Sequence, residues 1–123
     1  MLLLFDVGNS NISFAVYDES LVNKFCIKTD INKTADEYAI ILNSLLNGYK
    51  IDGVVIASVV PIITDLLNTY CEKYLNLEPL IIGPGTKTGI DIRINNPKEI
   101  GADLVAGAVG SMKKYPQPTI IID

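Results

Sequence analysis

Hydrophobic residues in the first 28 positions are arranged in the two ways that β-strands require. Residues 2–5 form an unbroken apolar run, which is typical of a strand buried on both faces. From residue 12 to residue 17, apolar side chains stand at every second position, which predicts a strand with one buried face. Residues 21–28 predict a third strand, and the polar clusters between these runs predict turns. The chain is therefore expected to begin as an antiparallel meander of three strands.

The apolar period then lengthens to that of helices. Thr34 and Glu37 stand three positions apart, as in a capping box, and apolar residues follow at helical spacing until Gly48 provides a stop. Residues 53–58 predict a buried strand, and Pro61 suits the first position of a second helix. The inner face of this second helix is predicted to carry five large side chains, which are Ile62, Leu66, Leu67, Tyr70 and Tyr74.

The last third of the chain predicts a strand, a helix and a final strand. Residues 80–82 form a short apolar run that ends at a glycine-rich loop. Asn96 is placed to cap a helix and Glu99 to reach back to that cap, and the helix is predicted to end at residue 113 or 114. Residues 119–122 predict another buried strand. The order βββ-α-β-α-β-α-β predicts an α/β domain whose sheet begins antiparallel and continues parallel.

Composition narrows the classes of function. Of the 123 residues, 49% are hydrophobic and 20% are charged, which is typical of one globular domain and not of a disordered chain. The net charge of −4 disfavours nucleic acids and anionic membrane surfaces as partners. The chain contains no histidine, which excludes histidine-based catalytic triads and histidine-ligated metals. The apolar start lacks the basic segment of a signal peptide, and no later run is long enough to span a membrane, so we expect a cytoplasmic protein.

The two cysteines point to no special chemistry. Cys26 and Cys71 lie far apart and do not form the C-x-x-C spacing of a zinc ribbon or a thiol redox motif. We expect both to behave as small buried hydrophobic residues, with a disulfide between them as the alternative.

A carboxylate followed by small polar residues comes directly after the first strand. Gly8 permits a close approach of backbone N–H groups to phosphate oxygens, and Asn9 and Ser10 can add side-chain donors. Asp6 can hold Mg²⁺ directly or through water. An ordinary hairpin turn is the alternative, because aspartate, glycine, asparagine and serine all favour turns.

A second carboxylate, Asp103, is expected on the second turn of the last helix. Gly101 and Ala102 leave the helix surface bare beside it, so Asp103 can accept a proton from the hydroxyl of a small substrate. A solvated surface carboxylate is the alternative. Ala102, Ala106 and Gly110 recur at every fourth position, which permits close helix packing within the fold or across a dimer.

Two further features bear on chemistry. Residues 83–89 are rich in glycine and threonine but lack the Walker A pattern, so they form either a substrate-lining loop or a plain connector. Asp123 follows the apolar residues 119–122 in the way that Asp6 follows the first strand. Two such acid-tipped strands side by side would make a cleft for cations and phosphates, and the alternative for Asp123 is a frayed terminus.

Four segments together resemble the type III pantothenate kinase family, also described as the Bvg accessory factor family. In chain order they are Asp-Val-Gly-Asn-Ser-Asn at 6–11, Ser-Val-Val-Pro at 58–61, Gly-Pro-Gly-Thr-Lys-Thr-Gly at 83–89 and Asn-Pro-Lys-Glu-Ile-Gly-Ala-Asp at 96–103. The resemblance extends over the whole chain, and the chain would correspond to about the first half of that family's length.

The resemblance implies an actin-like ATPase fold, in which two ribonuclease-H-like halves close around ATP. Residues 1–123 would be the N-terminal half, with a mixed five-stranded sheet and helices on both faces. The implied activity is the ATP-dependent phosphorylation of pantothenate to 4'-phosphopantothenate, the first step of coenzyme A biosynthesis. The implied cofactors beside ATP are Mg²⁺ and a monovalent cation, K⁺ or NH4⁺, and the implied assembly is a homodimer.

The same resemblance assigns roles to residues. Asp103 would be the general base, and Asp6 and Asp123 would hold metal ions. The first phosphate loop would consist of Asp6, Val7, Gly8, Asn9, Ser10, Asn11, Ile12 and Ser13. The pantothenate pocket would be lined by Gly101, Ala102, Asp103 and the residues at two further positions, Leu104 and Ile94.

Two positions depart from the family's pattern. Leu104 stands where the family has arginine and Ile94 where it has tyrosine. A leucine cannot pair with the carboxylate of pantothenate as a guanidinium does, so we expect weaker acceptor binding. Because phosphoryl transfer needs several loops at once, we expect the chain by itself to be inactive. The alternative function is a non-catalytic binding or dimerisation domain on the same scaffold.

Overall fold

The structure is a computed structural model that describes residues 1–122, and it opens with the predicted meander. Strand β1 (Leu2–Val7) pairs antiparallel with β2 (Asn11–Asp18), which pairs antiparallel with β3 (Ser20–Lys28). Each strand extends one or two residues beyond the bounds predicted from the sequence. The three predicted strands and their antiparallel arrangement are confirmed.

Two more strands complete a mixed sheet in the order β3-β2-β1-β4-β5. Strand β4 (Gly53–Ser58) lies parallel to β1, and β5 (Leu80–Ile81) lies parallel to β4. A helix lies in the chain between β1 and β4 and again between β4 and β5, as crossover connections between parallel strands usually require. The expected fold class, α/β with a mixed five-stranded sheet that starts antiparallel, is confirmed.

One face of the sheet carries the hydrophobic core. Alternate residues of the central strands point to this face, and helices α1 (Ala35–Leu45) and α2 (Pro61–Tyr70) pack on it and on each other. The largest fully buried side chains are Leu3, Val7, Ile12, Phe14, Val16, Tyr38, Leu42, Ile56, Ile63, Leu67, Tyr70 and Cys71. Helix α3 (Ala102–Lys114) lies on the opposite face and contacts β4. Helices on both faces are therefore confirmed.

The inner face of α2 differs from the predicted one. Ile63 is buried instead of Ile62, which is exposed. Beyond Tyr70 the chain continues as a π-helical turn, Cys71–Leu75, which turns more slowly than an α-helix. Tyr74 therefore faces solvent, where its hydroxyl donates a hydrogen bond of 2.6 Å to Asp36 of α1. The prediction that Ile62 and Tyr74 belong to the core is wrong.

The last helix begins five residues later than predicted. Pro97–Glu99 forms only a 3₁₀ turn, and extended backbone at Ile100 separates that turn from α3. The Asn96 side chain does not cap a helix, because its amide donates to the Glu99 carboxylate at 2.6 Å. Asp103 consequently lies in the first turn of α3, so its expected place on a second turn is wrong. The helix ends at Lys114, as predicted.

The strand predicted at residues 119–122 is absent, and that prediction is wrong. Ile120 and Ile122 are 90% and 94% exposed, so their apolar side chains pack on no part of the described chain. An apolar β-prone run becomes a strand only when another strand offers it hydrogen bonds. Asp123, expected to follow this strand, lies outside the described residues.

The cysteines have different environments. Cys71 is fully buried and Cys26 is exposed, and both are free thiols. The expectation of burial is therefore confirmed for Cys71 and wrong for Cys26, and the alternative of a disulfide is excluded. Within residues 1–122, no helix combines the length and apolar character needed to cross a membrane.

Replacing Thr34 with alanine should weaken the start of α1. The Thr34 hydroxyl accepts from the Glu37 N–H at 3.2 Å, and the Glu37 carboxylate accepts from the Thr34 N–H at 2.8 Å. Thr34→Ala should lower the free energy of unfolding by about 1 kcal/mol, measured by urea denaturation. Thr69→Ala, on the exposed side of α2, is the matched control and should change it by less than about 0.5 kcal/mol. Equal losses in both variants would show that the cap contributes nothing.

The free energy of unfolding should fall in alkaline solution because a thiol and a phenol are buried in the core. Burial raises the pKa of Cys71 from 9.0 to about 12, and burial raises the pKa of Tyr70 from 10.0 to about 12. Their contribution is complete below pH 9 and is lost as the pH approaches 12, because the unfolded chain releases these protons first. The free energy of unfolding should drop by about 1.4 kcal/mol per pH unit for each group. Cys71→Ala should flatten the slope between pH 9 and pH 10, and an unchanged slope would contradict this account.

Candidate functional site

The face of the sheet opposite the core contains a cavity of about 460 Å³. In β1, Phe5 and Val7 point into the core, so Leu4 and Asp6 point to the other face. Ser13 of β2 lies directly opposite Asp6 in the strand register and lines the same cavity. Helix α3 forms the facing wall and contributes Asp103. The structure therefore places two aspartates that are 97 positions apart in the sequence on the walls of one cavity.

Small residues leave the space that this cavity occupies. The wall formed by the sheet includes Ala15 and Ala57, and the wall formed by α3 includes Ala106 and Gly107. Large side chains at these four positions would fill the space between α3 and the sheet, as large side chains do between α1, α2 and the other face. Of the repeated small residues of α3, only Ala106 contributes to this open space.

Gly101 determines where the Asp103 carboxylate lies. Asp103 Oδ1 accepts a hydrogen bond of 2.8 Å from the N–H of Leu104 and folds back over Gly101. A Cβ atom at position 101 would overlap this carboxylate oxygen and would also touch Val59. The backbone of Gly101 has φ −63°, which any residue adopts, so space and not backbone conformation requires the glycine.

The turn between β1 and β2 is held tightly. The Gly8 N–H donates to the Asn11 carbonyl at 2.9 Å, and a Cβ atom on Gly8 would lie 3.3 Å from that same oxygen. Thr29, just after β3, closes the turn from its other side. Its hydroxyl donates to the Gly8 carbonyl at 2.7 Å, and its N–H donates to the Ser10 carbonyl at 3.1 Å.

The eight residues predicted to form a phosphate loop therefore divide into four groups. Gly8 opens the turn, and its N–H already donates to the Asn11 carbonyl. The side chains of Val7 and Ile12 are buried in the core, which leaves only their backbone for a ligand. Residues 9–11 are exposed at the tip of the turn. Asp6 and Ser13 line the cavity. The segment is a hairpin turn, as the alternative stated, but one that stands beside two polar groups on a cavity wall.

A second cavity, of about 620 Å³, lies between the segment 83–101 and the start of α3. Gly101 and Ala102 line it, whereas Asp103 lines the smaller cavity. The Gly-Ala-Asp sequence thus stands where the two cavities adjoin, and Ile82 lines both. Leu104 and Ile94 line neither cavity and are 45% and 50% exposed.

Five residues of the loop at 83–89 line the larger cavity, which are Gly83, Pro84, Gly85, Thr86 and Thr88. Thr86 closes the loop into a turn. Its N–H donates to the Gly83 carbonyl at 3.1 Å, and its hydroxyl accepts from the Gly83 N–H at 3.0 Å. Gly85 has φ +90°, which disfavours any residue with a side chain.

The donor set suits a metal that is shared with a phosphate ligand. Within residues 1–122, no group of three or more cysteine, aspartate and glutamate side chains is placed to hold a metal ion. The smaller cavity offers the carboxylates of Asp6 and Asp103. Mg²⁺ is commonly held by one or two carboxylates together with phosphate oxygens and water, so these residues fit a magnesium-bound phosphate compound.

One residue of this cavity was missed by the sequence predictions. Lys24 of β3 pairs with Ala15 in the strand register and lines the cavity with Asp6 and Asp103. Nothing in its sequence neighbourhood marks it. Only the register of the meander, which brings residue 24 beside residue 15, could have indicated it.

Comparison with known proteins gives one consistent family. A model of the family described as type III pantothenate kinase matches residues 2–123. Proteins named type III pantothenate kinase match the whole chain at 47% identity in Acholeplasma laidlawii, 46% in Halalkalibacterium halodurans and 44% in Exiguobacterium sibiricum. The chain covers 49–51% of these relatives, so it spans about half the length of the curated relatives it matches.

Gly101→Ala should displace Asp103 without unfolding the chain, because the carboxylate is the movable end of a side chain. The hydrogen bond from the Leu104 N–H to Asp103 should be lost, which faster exchange of the Leu104 amide hydrogen in NMR spectra would report. Gly110→Ala is the matched control, since a Cβ atom there meets nothing within 4 Å. It should stabilise α3 by up to about 1 kcal/mol and leave that amide unchanged. Unchanged exchange in Gly101→Ala would contradict this explanation of the glycine.

Proposed function

This chain belongs to the type III pantothenate kinase family, and we propose that it forms the N-terminal, ribonuclease-H-like half of a two-domain enzyme that phosphorylates pantothenate with ATP. The product would be 4'-phosphopantothenate, and the reaction the first step of coenzyme A biosynthesis. The observation that best supports this proposal is the position of Asp6 and Asp103 on one cavity beside the turn at Gly8.

The nucleotide phosphates would lie in the smaller cavity, next to the turn between β1 and β2. The phosphate loop would be residues 6–13, with Asp6 and Ser13 acting through side chains that line the cavity and Val7 and Ile12 acting through the backbone alone. Bound Mg²⁺ would neutralise phosphate charge, and Asp6 is the residue that would hold it, directly or through water.

Asp103 would act as the general base. The primary hydroxyl oxygen of pantothenate attacks the γ-phosphorus of ATP, the bond from that phosphorus to the bridging oxygen breaks, and ADP leaves. The hydroxyl proton passes to the Asp103 carboxylate. Its place where the two cavities adjoin supports this role, because the acceptor in the larger cavity would then meet the nucleotide in the smaller one.

The acceptor pocket would be the larger cavity, with Gly101 and Ala102 on its wall. The family positions at Leu104 and Ile94 would contribute little, since neither side chain lines the cavity and neither carries a charge. Acceptor affinity should therefore be lower than a guanidinium at position 104 would give.

Further features of the whole protein belong to the same proposal. The monovalent cation, K⁺ or NH4⁺, would be held at Asp123, which lies outside the described residues. The protein would be a cytoplasmic homodimer that binds neither nucleic acid nor membranes, in keeping with its net charge of −4. Turnover would require loops from the other half of the enzyme, since phosphoryl transfer depends on groups from several loops.

A second candidate function is a non-catalytic dimerisation domain. The observation that favours it is the exposed side of α3, where Leu104 and Met112 are about half exposed. Ala102 and Ala106, two of the three small residues predicted for such a contact, line the cavities, so the surface for a second helix would be formed mainly by Leu104 and Met112. This function predicts no nucleotide binding, which separates it from the kinase.

The kinase proposal predicts that MgATP raises the melting temperature of this chain, and that the chain phosphorylates pantothenate when mixed with the separately expressed C-terminal half of the Acholeplasma laidlawii relative. Asp103→Asn should lower the rate of ADP formation by about 10²- to 10⁴-fold, the usual contribution of a general base. Asp65→Asn, an exposed carboxylate of α2, is the matched control and should leave the rate unchanged.

Two outcomes would contradict this proposal. Full activity of Asp103→Asn would remove the general base. A folded chain with no stabilisation by MgATP and no turnover would favour the dimerisation domain instead.

A further inference from the structure

We propose that Lys24 is a phosphate-binding residue of the nucleotide site, contacting the outer phosphates across the cavity from Asp103. This inference rests on the proposed function, because it takes the smaller cavity as the site of the nucleotide. It assigns a role to a residue that the motifs in the sequence did not indicate.

The position of Lys24 follows from the strand register. Asp6 pairs with Ser13 and Leu4 with Ala15, while Ala15 pairs with Lys24 on its other side. Residues that pair across strands share a face of the sheet, so Lys24 emerges on the cavity face. β3 is the edge strand of the sheet, and the flexible four-carbon side chain of Lys24 is exposed there.

The charges of the residues that line the cavity support a phosphate-binding role for Lys24. Two of the lining residues are carboxylates, Asp6 and Asp103, and Lys24 is the single cation among those that line it. Without Lys24, the negatively charged phosphates of MgATP would meet a wall that carries only negative charge. An ammonium on that wall offsets the repulsion and donates to phosphate oxygens as a compact point charge.

The ammonium of Lys24 is available for such a ligand. Among residues 1–122, the cations of the ion pairs within 4.0 Å are the N-terminal amine, Lys33, Lys73 and Arg93, and none of these pairs involves Lys24. The backbone N–H of Lys24 donates to Asn23 Oδ1, and this bond does not use the Lys24 side chain. The β3 backbone therefore fixes the position of the Lys24 Cα atom, while the ammonium group of the side chain can bind a ligand.

The test measures the affinity of the full 123-residue chain for MgATP, MgADP and adenosine by isothermal titration calorimetry. Lys24→Gln should weaken MgATP binding about tenfold, as loss of one charge-assisted hydrogen bond would. It should weaken MgADP binding less and leave adenosine binding unchanged. Lys24→Arg should restore MgATP binding to within about threefold, since arginine keeps the charge.

Lys50→Gln is the matched control, because it removes one exposed lysine charge that lies on neither cavity. It should bind all three ligands like the parent chain. Melting temperatures without ligand confirm that each variant is folded. A purely structural role of Lys24 would weaken adenosine and MgATP binding equally, and that result would overturn the proposal.

The remaining outcomes separate this inference from the proposed function. If the parent chain binds MgATP and Lys24→Gln binds it equally well, the role of Lys24 is overturned while the nucleotide site stands. If the parent chain does not bind MgATP, the nucleotide site itself is overturned and the role of Lys24 with it.

Discussion

The alternation of side chains along β1 couples the hydrophobic core on one face of the sheet to the candidate site on the other. β1 lies between β2 and β4, and three of its side chains, Leu3, Phe5 and Val7, are buried in the core. Because successive side chains point to opposite faces, burying these three places Asp6 on the other face, beside the turn at Gly8. A slip of one residue would bury the carboxylate and expose the apolar set, so the core also fixes the site.

The two faces of the sheet serve different purposes for a physical reason. Large apolar side chains from α1 and α2 interlock with the sheet on one face and exclude space there. On the other face, the small residues Ala15, Ala57, Ala106 and Gly107 leave space between α3 and the sheet unfilled, and Asp6, Lys24 and Asp103 also line that space. Stability is thus concentrated on one face, and the polar groups that can meet a ligand are concentrated on the other.

An interruption of helical backbone just before α3 determines where the Asp103 carboxylate lies. Extended backbone at Ile100 delays the helix to Ala102, which places Asp103 in the first turn, where backbone N–H groups have no partner within the helix. Its carboxylate accepts from the Leu104 N–H and fits over the bare backbone of Gly101. The positive end of the helix also favours a negative charge there.

Features that depend on neighbouring residues could be predicted from the sequence. The first three strands, β4 and the capping box at Thr34 follow from local spacing and turn residues, and so does the proline that opens α2. Features that depend on contacts between distant segments could be seen only in the folded chain. Three features arise from pairing and packing between distant segments: the register that pairs Lys24 with Ala15 on the cavity wall, the placing of Gly101 and Asp103 on adjoining cavities, and the exposure of residues 120–122. Local pattern cannot encode them, because a strand or helix adopts its position only against the elements that it contacts.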